Sequence, residues 1–321
     1  MNDRINLIFI LFLIISLPLK AQIPVILDAD LDSDVDDVGA LAMLHTLEDN
    51  QKVKLLGVVV TSDDQDAAAC AAAINTFYNR PEVPVGVEKG IALRSFSKYT
   101  KSLATSFPHP LKEGKEPEDA TQLYRKLLVN SPDNSVIIIS IGHLTNVRNL
   151  LESKPDHISP LNGKELIQKK VKLWSCMGGQ FPSGKEANFY RPDPESTLIA
   201  VKNWPGEVIF SGWEIGNEII TGGDFLKHAL SADHPVSLAY KLFNGYAGRQ
   251  SWDQTSILYA ISDKKYWELS PKGQVLVNKD GSNSWKEDPN GLHRYLIKHL
   301  PPAEIAKIID SLMIGIYRPG F

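Results

Sequence analysis

Six carboxylates crowd into ten residues at Asp28-Ala-Asp30-Leu-Asp32-Ser-Asp34-Val-Asp36-Asp37, directly after the apolar run Ile23 to Leu27. Charge of this density beside an apolar strand is costly unless something neutralises it. Oxygen donors alone suit a hard divalent cation, and calcium accepts about 6 to 8 of them from mono- or bidentate carboxylates. A solvated surface run is the bland alternative, and it sits badly before the apolar helix pattern Val38 to Leu44. An EF-hand loop wants glycine at its sixth position and glutamate at its twelfth, where this chain has Ser33 and Gly39. A phosphatase with a strand-end Asp-x-Asp nucleophile accounts for Asp28 and Asp30 but leaves Asp36-Asp37 without a task.

The elements that must position this loop alternate. Ile23 to Leu27 reads as a strand and Val38 onward as a helix; Val53 to Val60, Thr61 to Asp66 and Ala67 to Tyr78 repeat the strand, loop and helix scheme. Pro84 to Val87 is a third strand, Pro117 to Leu128 a helix, and Ser135 to Ile139 a strand of parallel-sheet type followed by a helix from Leu144 to Leu151. Val171 to Cys176 and Glu207 to Ser211 are strands with a helix at Pro194 to Asn203 between them. Pro235 to Ile261 is helical in pattern, Trp267 to Val277 reads as a hairpin turning at Pro271-Lys272-Gly273, and a last helix runs near Pro301 to Met313. The alternation predicts an α/β fold: a single domain with a mostly parallel open sheet flanked by helices. Ligands of such sheets gather at the carboxyl ends of the strands, where the acidic loop falls.

The 321 residues are 43% hydrophobic and 22% charged, enough for a large core, and no linker, repeat or low-complexity tract divides them. A net charge of -4 without any Lys/Arg-rich run argues against nucleic acid as a partner. Met1 to Arg4, the apolar stretch Leu7 to Leu19 and Lys20-Ala21 read as a secretory signal. Residues 1–21 are therefore expected to be cleaved, leaving 22–321 as an exported domain, periplasmic or secreted, with no membrane insertion afterwards. Cys70 and Cys176 are expected to be free and buried, with a disulfide between them left open.

The string Val25-Ile-Leu-Asp28-Ala-Asp30, followed by Asp36-Asp37-Val-Gly-Ala-Leu, resembles the Asp-x-Asp-x-x-x-Asp-Asp signature of the inosine-uridine preferring nucleoside hydrolase family, with two extra loop residues. Three later segments resemble the family in order. They are Ile138 to Asn146, then Met177-Gly-Gly179 with Glu186-Ala-Asn188-Phe189 and Asp193-Pro-Glu195, then Ser251-Trp252-Asp253. An extra residue, Pro192, precedes Asp193, and Trp252 stands where the family's late motif has a histidine. Alone, each segment has an ordinary reading: Thr145 or Asn146 as a helix cap, Glu186 to Asp193 as a polar loop, and Asp253 as a first-turn acid.

The resemblance implies calcium-dependent hydrolysis of the N-glycosidic bond of a small-molecule riboside, by a homo-oligomer. Its implied ligands for Ca2+ are Asp30, Asp37, Asp253 and the main-chain carbonyl of Ile141, with Asp30 also accepting a proton from the attacking water. Asp36, Glu186 and Asn188 would hold the ribose hydroxyls, and Trp252, with Trp213, would stack on the base. Asp28 and Asp34 are secondary candidates in the same loop, where the individual roles of Asp32 and Asp34 stay open. His143 is a candidate acid for the leaving group, since the indole of Trp252 cannot donate a proton near neutral pH. The rival readings are a riboside-binding protein that keeps the metal site without turnover, and a purely structural calcium protein.

Overall fold

The computed structural model describes residues 21–318 apart from 63, 91–96, 114 and 263–265, so the expected signal lies outside the described residues except for Ala21. The strands are β1 (Ile23–Ala29), β2 (Val53–Val60), β3 (Val85–Val87), β4 (Glu118–Asp119), β5 (Val136–Ser140), β6 (Val171–Met177) and β7 (Ser183–Gly184). They continue with β8 (Val208–Ser211), β9 (Ile220–Thr221), β10 (Arg249–Gln250), β11 (Trp267–Leu269), β12 (Gly273–Val277), β13 (Asn283–Glu287) and β14 (His293–Lys298).

In the main sheet β4-β3-β2-β1-β5-β6-β8-β14 pair in parallel, and β12, β13 and β7 extend it antiparallel. This is the mostly parallel open sheet expected of a single α/β domain; β9 and β10 form a separate antiparallel pair. Strand order runs outward from β1 in both directions, through β2 on one side and β5 on the other. Loops leaving β1 and β5 therefore diverge and open a crevice between them. Successive strand residues enter different cores, as a two-residue period requires: Val25, Leu27, Ile137 and Ile139 pack on one face, Ile26, Val59 and Ile138 on the other.

The helix Asp36–Asp49 that follows the acidic loop is buried from Asp36 to Glu48. It packs among the helices Pro235–Asn244, Trp252–Ile261 and Pro302–Met313, so the carboxyl half of the chain closes over its amino-terminal end. Cys70 and Cys176 are free and buried. No helix among the described residues is long and apolar enough to cross a membrane.

Three local expectations need correction. The helical stretch from Pro235 breaks after Asn244, where Gly245 adopts a left-handed φ of 66°, and β10 intervenes before the helix resumes at Trp252. Glu118–Asp119 forms an edge strand, and the helix expected from Pro117 begins at Ala120, capped by the Asp119 carboxylate. Trp267 to Val277 is not a hairpin: β11 and β12 both run antiparallel to β14, meeting it at Trp267↔Lys298 and Gly273↔His293. Pro271 has no N–H and interrupts the ladder, yet Ser270 N–H still donates to the Tyr295 carbonyl (3.0 Å) and keeps the chain in line. The reversal comes later, between Asn278 and Ser282, where Gly281 takes a φ of 79°.

Trp174 of β6 fixes the end of β5 from one side. It is fully buried, and its indole N–H donates to Ser140 Oγ (2.8 Å), one residue before the crevice. Trp174→Ala should cost about 3–5 kcal/mol of stability, and Trp174→Phe, which loses mainly the hydrogen bond, about 1–2 kcal/mol. Denaturant midpoints of the two variants check the ordering.

Candidate active site

The acidic loop turns on Leu31, whose φ of 49° lies in the left-handed region, a conformation that costs an ordinary residue about 1–2 kcal/mol. Its N–H donates to Asp37 Oδ1 (3.2 Å), which offsets the strain and folds the loop back on itself. The side chains of Asp30 and Asp37 then meet in a hydrogen bond. Asp36 and Asp37 occupy the first turn of the helix Asp36–Asp49, where the positive end of the helix dipole favours carboxylates.

Asp253 arrives from far along the chain, in the first turn of the helix Trp252–Ile261. Asp36 joins the two helix starts, because its Oδ2 accepts from the N–H groups of Trp252 (3.1 Å) and Asp253 (3.2 Å). Carboxylate oxygens of Asp36, Asp37 and Asp253 consequently lie within 4.8 Å of one another in a buried group. Sequence reasoning gave the ligand role to Asp30 and the sugar to Asp36. The capping contacts draw the Asp36 carboxylate toward Asp253, while Asp30 stands beside Asp37.

Ile141 follows β5, and its carbonyl accepts the Asn188 side-chain amide at 2.9 Å. Glu186 is buried with its two oxygens fixed by the N–H groups of Asn188 (2.9 Å) and Gly179 (3.0 Å). These residues share one cleft of about 290 Å³. Of the residues singled out from sequence, Asp30, Asp34, Asp36, Asp37, Ile141, Glu186, Asn188, Trp213, Trp252 and Asp253 line it.

Asp28 and His143 do not line the cleft. Asp28 is buried behind it, accepting from the Tyr124 hydroxyl (2.8 Å) and the Asn146 amide (3.1 Å), and so ties β1 to the helices Ala120–Val129 and Thr145–Glu152. His143 is buried with its ring nitrogens against Thr145 Oγ1 (2.9 Å) and the Thr61 carbonyl (2.7 Å). Asp32 is also buried, its carboxylate accepting the Ser33 N–H. Asp34 lines the cleft and pairs with Arg249, whose Nε lies 2.9 and 3.0 Å from the two carboxylate oxygens.

Arg249 is the cleft residue that sequence reasoning missed. Its signals were its place two positions before Ser251-Trp252-Asp253 and a lengthened acidic loop in need of a counter-charge. Lys185, Tyr190 and Arg191 also reach the cleft from the Glu186 segment.

Burial pushes the Asp37 carboxyl from 3.8 up to about 7. Burial, then the charge of neighbouring aspartates, holds Asp30, Asp36 and Asp253 well above the usual carboxylate range. Glu186 is pushed up to about 7, again chiefly by burial. A divalent cation relieves this crowding, and a donor set of carboxylate and carbonyl oxygens, with no histidine or cysteine among the described residues lining the cleft, fits a hard one.

Fold and cleft together are those of a nucleoside hydrolase-like α/β enzyme. A plant nucleoside hydrolase superposes with a TM-score of 0.69 at 18% identity, over 91% of this chain and 99% of that one. The inosine-uridine preferring nucleoside hydrolase of Bacillus anthracis gives 0.69 at 15% identity over 92% and 100%. A purine-preferring ribonucleoside hydrolase from Gardnerella vaginalis gives 0.68 at 18% over 91% and 97%. No curated protein sequence matches the chain. The sequence model of the inosine-uridine preferring nucleoside hydrolases matches residues 25–293, and the chain belongs to that family of N-glycosyl hydrolases.

Two outcomes are expected of the site. A Cβ at Gly142, just past β5, would lie 2.9 Å from the Asp30 backbone nitrogen and 2.8 Å from the Thr61 hydroxyl. Gly142→Ala should displace Asp30 at a strain of about 1–3 kcal/mol and weaken divalent-cation binding about tenfold; an unchanged titration calorimetry isotherm would contradict the close approach.

The second outcome concerns pH, because ligand carboxylates must lose protons to bind a cation. Folded carboxyls that titrate above 3.8, as far as about 7 for Asp37, make the metal-free protein less stable as pH rises through that window. Buried His45 and His293 and half-buried His234, lowered to about 3, 4 and 4 respectively, work in the opposite sense, but equally with and without the ion. The rise in Tm on adding calcium should therefore be small near the lower end of the window and grow toward its upper end. A calcium shift independent of pH would show that these carboxyls are not its ligands.

Proposed function

We propose that the protein hydrolyses the N-glycosidic bond of ribonucleosides, or of a closely related riboside, with calcium as its cation. The observation that carries this reading is the convergence on one cleft of Asp30, Asp36, Asp37 and Asp253 with the Ile141 carbonyl, Glu186 and Asn188. All of them come from the four segments that resemble the family.

Cleavage builds oxocarbenium character on the ribose while water attacks the anomeric carbon. Calcium, when bound, supplies a Lewis-acidic charge and a fixed orientation for the groups around it. Asp30, beside Asp37 and lining the cleft, accepts the proton of the attacking water once cation binding has driven these carboxyls to lose theirs. Glu186 and Asn188 hold the ribose hydroxyls together with Asp36; the two backbone N–H groups on Glu186 keep that carboxylate aimed before the sugar arrives. A site built around hydroxyls discriminates against 2-deoxyribosides, because the missing partner leaves buried polar groups unpaired. Trp252 and Trp213 offer apolar faces to the base. We read the leader-like residues before Gln22 as directing export, and the family as assembling into homo-oligomers.

A riboside-binding protein without turnover is the second reading, favoured by one observation: among the described residues neither histidine nor cysteine lines the cleft to protonate a leaving base. Release of free ribose from inosine and uridine, with and without calcium, separates the two. Turnover should require calcium and fall by about 10³-fold or more in Asp37→Ala, a loss of about 4 kcal/mol of transition-state stabilisation. Tight calcium binding with no ribose released from any riboside would sink the hydrolase reading.

A further inference from the structure

Arg249 is held more firmly than an ordinary surface arginine. Its Nε donates to both oxygens of Asp34 (2.9 and 3.0 Å), Nη2 donates to Asp34 Oδ2, and Nη1 donates to Gln250 Oε1 (3.2 Å). The guanidinium carbon lies 4.9 Å from the ring centroid of Trp252 and 5.6 Å from that of Phe243. Pairing along one edge and aromatic rings on its faces fix the plane of the cation. A guanidinium carries five N–H hydrogens, so these contacts leave one on each Nη.

The group lines the cleft beside Trp252, whose neighbour in sequence is Asp253 of the carboxylate group. Among the described residues neither histidine nor cysteine lines this wall, and its buried carboxyls are the candidate cation ligands, which bind a cation only once their protons are gone. The Trp252 indole N–H is engaged by the Trp213 carbonyl (3.0 Å). Lys185, Tyr190 and Arg191 are exposed, with Lys185 paired to Asp280 (3.1 Å).

We propose that Arg249 stabilises the departing aglycone as an anion, and that Asp34 of the lengthened loop is its positioning residue. The inference rests on the hydrolase reading and names its substrate class: ribosides of heterocycles that are weak N–H acids with carbonyl oxygens, the uracil type. As the bond from the anomeric carbon to the aglycone nitrogen breaks, its electron pair stays on the nitrogen. The water oxygen bonds to the anomeric carbon and its proton passes to Asp30. Arg249 donates hydrogen bonds to the anion without losing a proton, and the released anion takes one from solvent while Asp30 returns its own there.

The test compares the calcium-loaded full-length protein with Arg249→Met and Asp34→Asn on two substrates. These are uridine and p-nitrophenyl riboside, whose phenolate departs without help. Arg249→Met should lower kcat/KM on uridine by about 10²-fold, the usual loss when one donor to a developing anion is removed. On the nitrophenyl riboside it should change kcat/KM less than about threefold on the same grounds. Asp34→Asn should show a smaller loss with the same selectivity. Should Arg249→Met fail to fold, Arg249→Lys, a cation without the planar fork, replaces it and should retain part of the uridine activity. Equal losses on both substrates, or intact uridine turnover, overturn the proposal. So does a wild-type protein that cleaves the nitrophenyl riboside but not uridine, although the hydrolase reading then stands. A wild-type protein inert on both overturns that reading and this inference with it.

Discussion

Mutual repulsion among buried carboxylates is the constraint around which this molecule is arranged. Asp30, Asp36, Asp37 and Asp253 are brought out of water together, and burial, reinforced by the charge of neighbouring aspartates, raises their proton affinity. Two helix amino termini face the group, a hydrogen bond joins Asp30 to Asp37, and one arginine contributes its field to Asp36. These partners lessen the repulsion without cancelling it. The residual electrostatic cost stored in the metal-free fold is what a divalent cation relieves, so affinity comes from crowding as much as from attraction.

The parallel sheet supplies the rigidity that such crowding requires. Strand order reverses at β1, and the loops from β1, β5 and β6 leave from neighbouring positions with their backbones already hydrogen-bonded below the cleft. Ile141 N–H bonds to the Asp28 carbonyl (2.7 Å) and Thr61 N–H to the Ala29 carbonyl (3.0 Å), so the floor is an extension of the ladder. Asp28, although one of the six loop carboxylates, serves that scaffold rather than the cleft. Identical side chains two positions apart thus take different tasks: two positions along a strand would share a face, but β1 ends at Ala29 and Asp30 already belongs to the turn at Leu31.

Much of this was legible in the sequence. The alternation of β-branched runs and helical periods pointed to the sheet, and the resemblance of four ordered segments to the nucleoside hydrolases pointed to Asp30, Asp36-Asp37, Glu186, Asn188 and Asp253, most of the cleft. What escaped depended on contacts between distant segments. The role of Asp36 as a cap on a helix that begins at Trp252 has no local signature, and neither does the pairing of Asp34 with Arg249 across 215 positions. Pro271 read as a turn because proline breaks a ladder; that β14 would continue alongside it was decided by strands later in the chain. His143 and Asp28 carried the right residue types at strand ends, but the direction of a side chain there is set by packing rather than by spacing.

The bridge from Asp36 to the backbone of Asp253 spans 217 positions, and that separation fixes when the site can exist. A growing chain cannot assemble it until nearly four-fifths of its length has been made, and contacts so remote in sequence form late because their loop-closure entropy must be met first. Until then the Asp36 carboxylate has no helix at Trp252 to cap. Assembly of this carboxylate group therefore belongs to the end of folding, once the segments carrying Asp36 and Asp253 have docked.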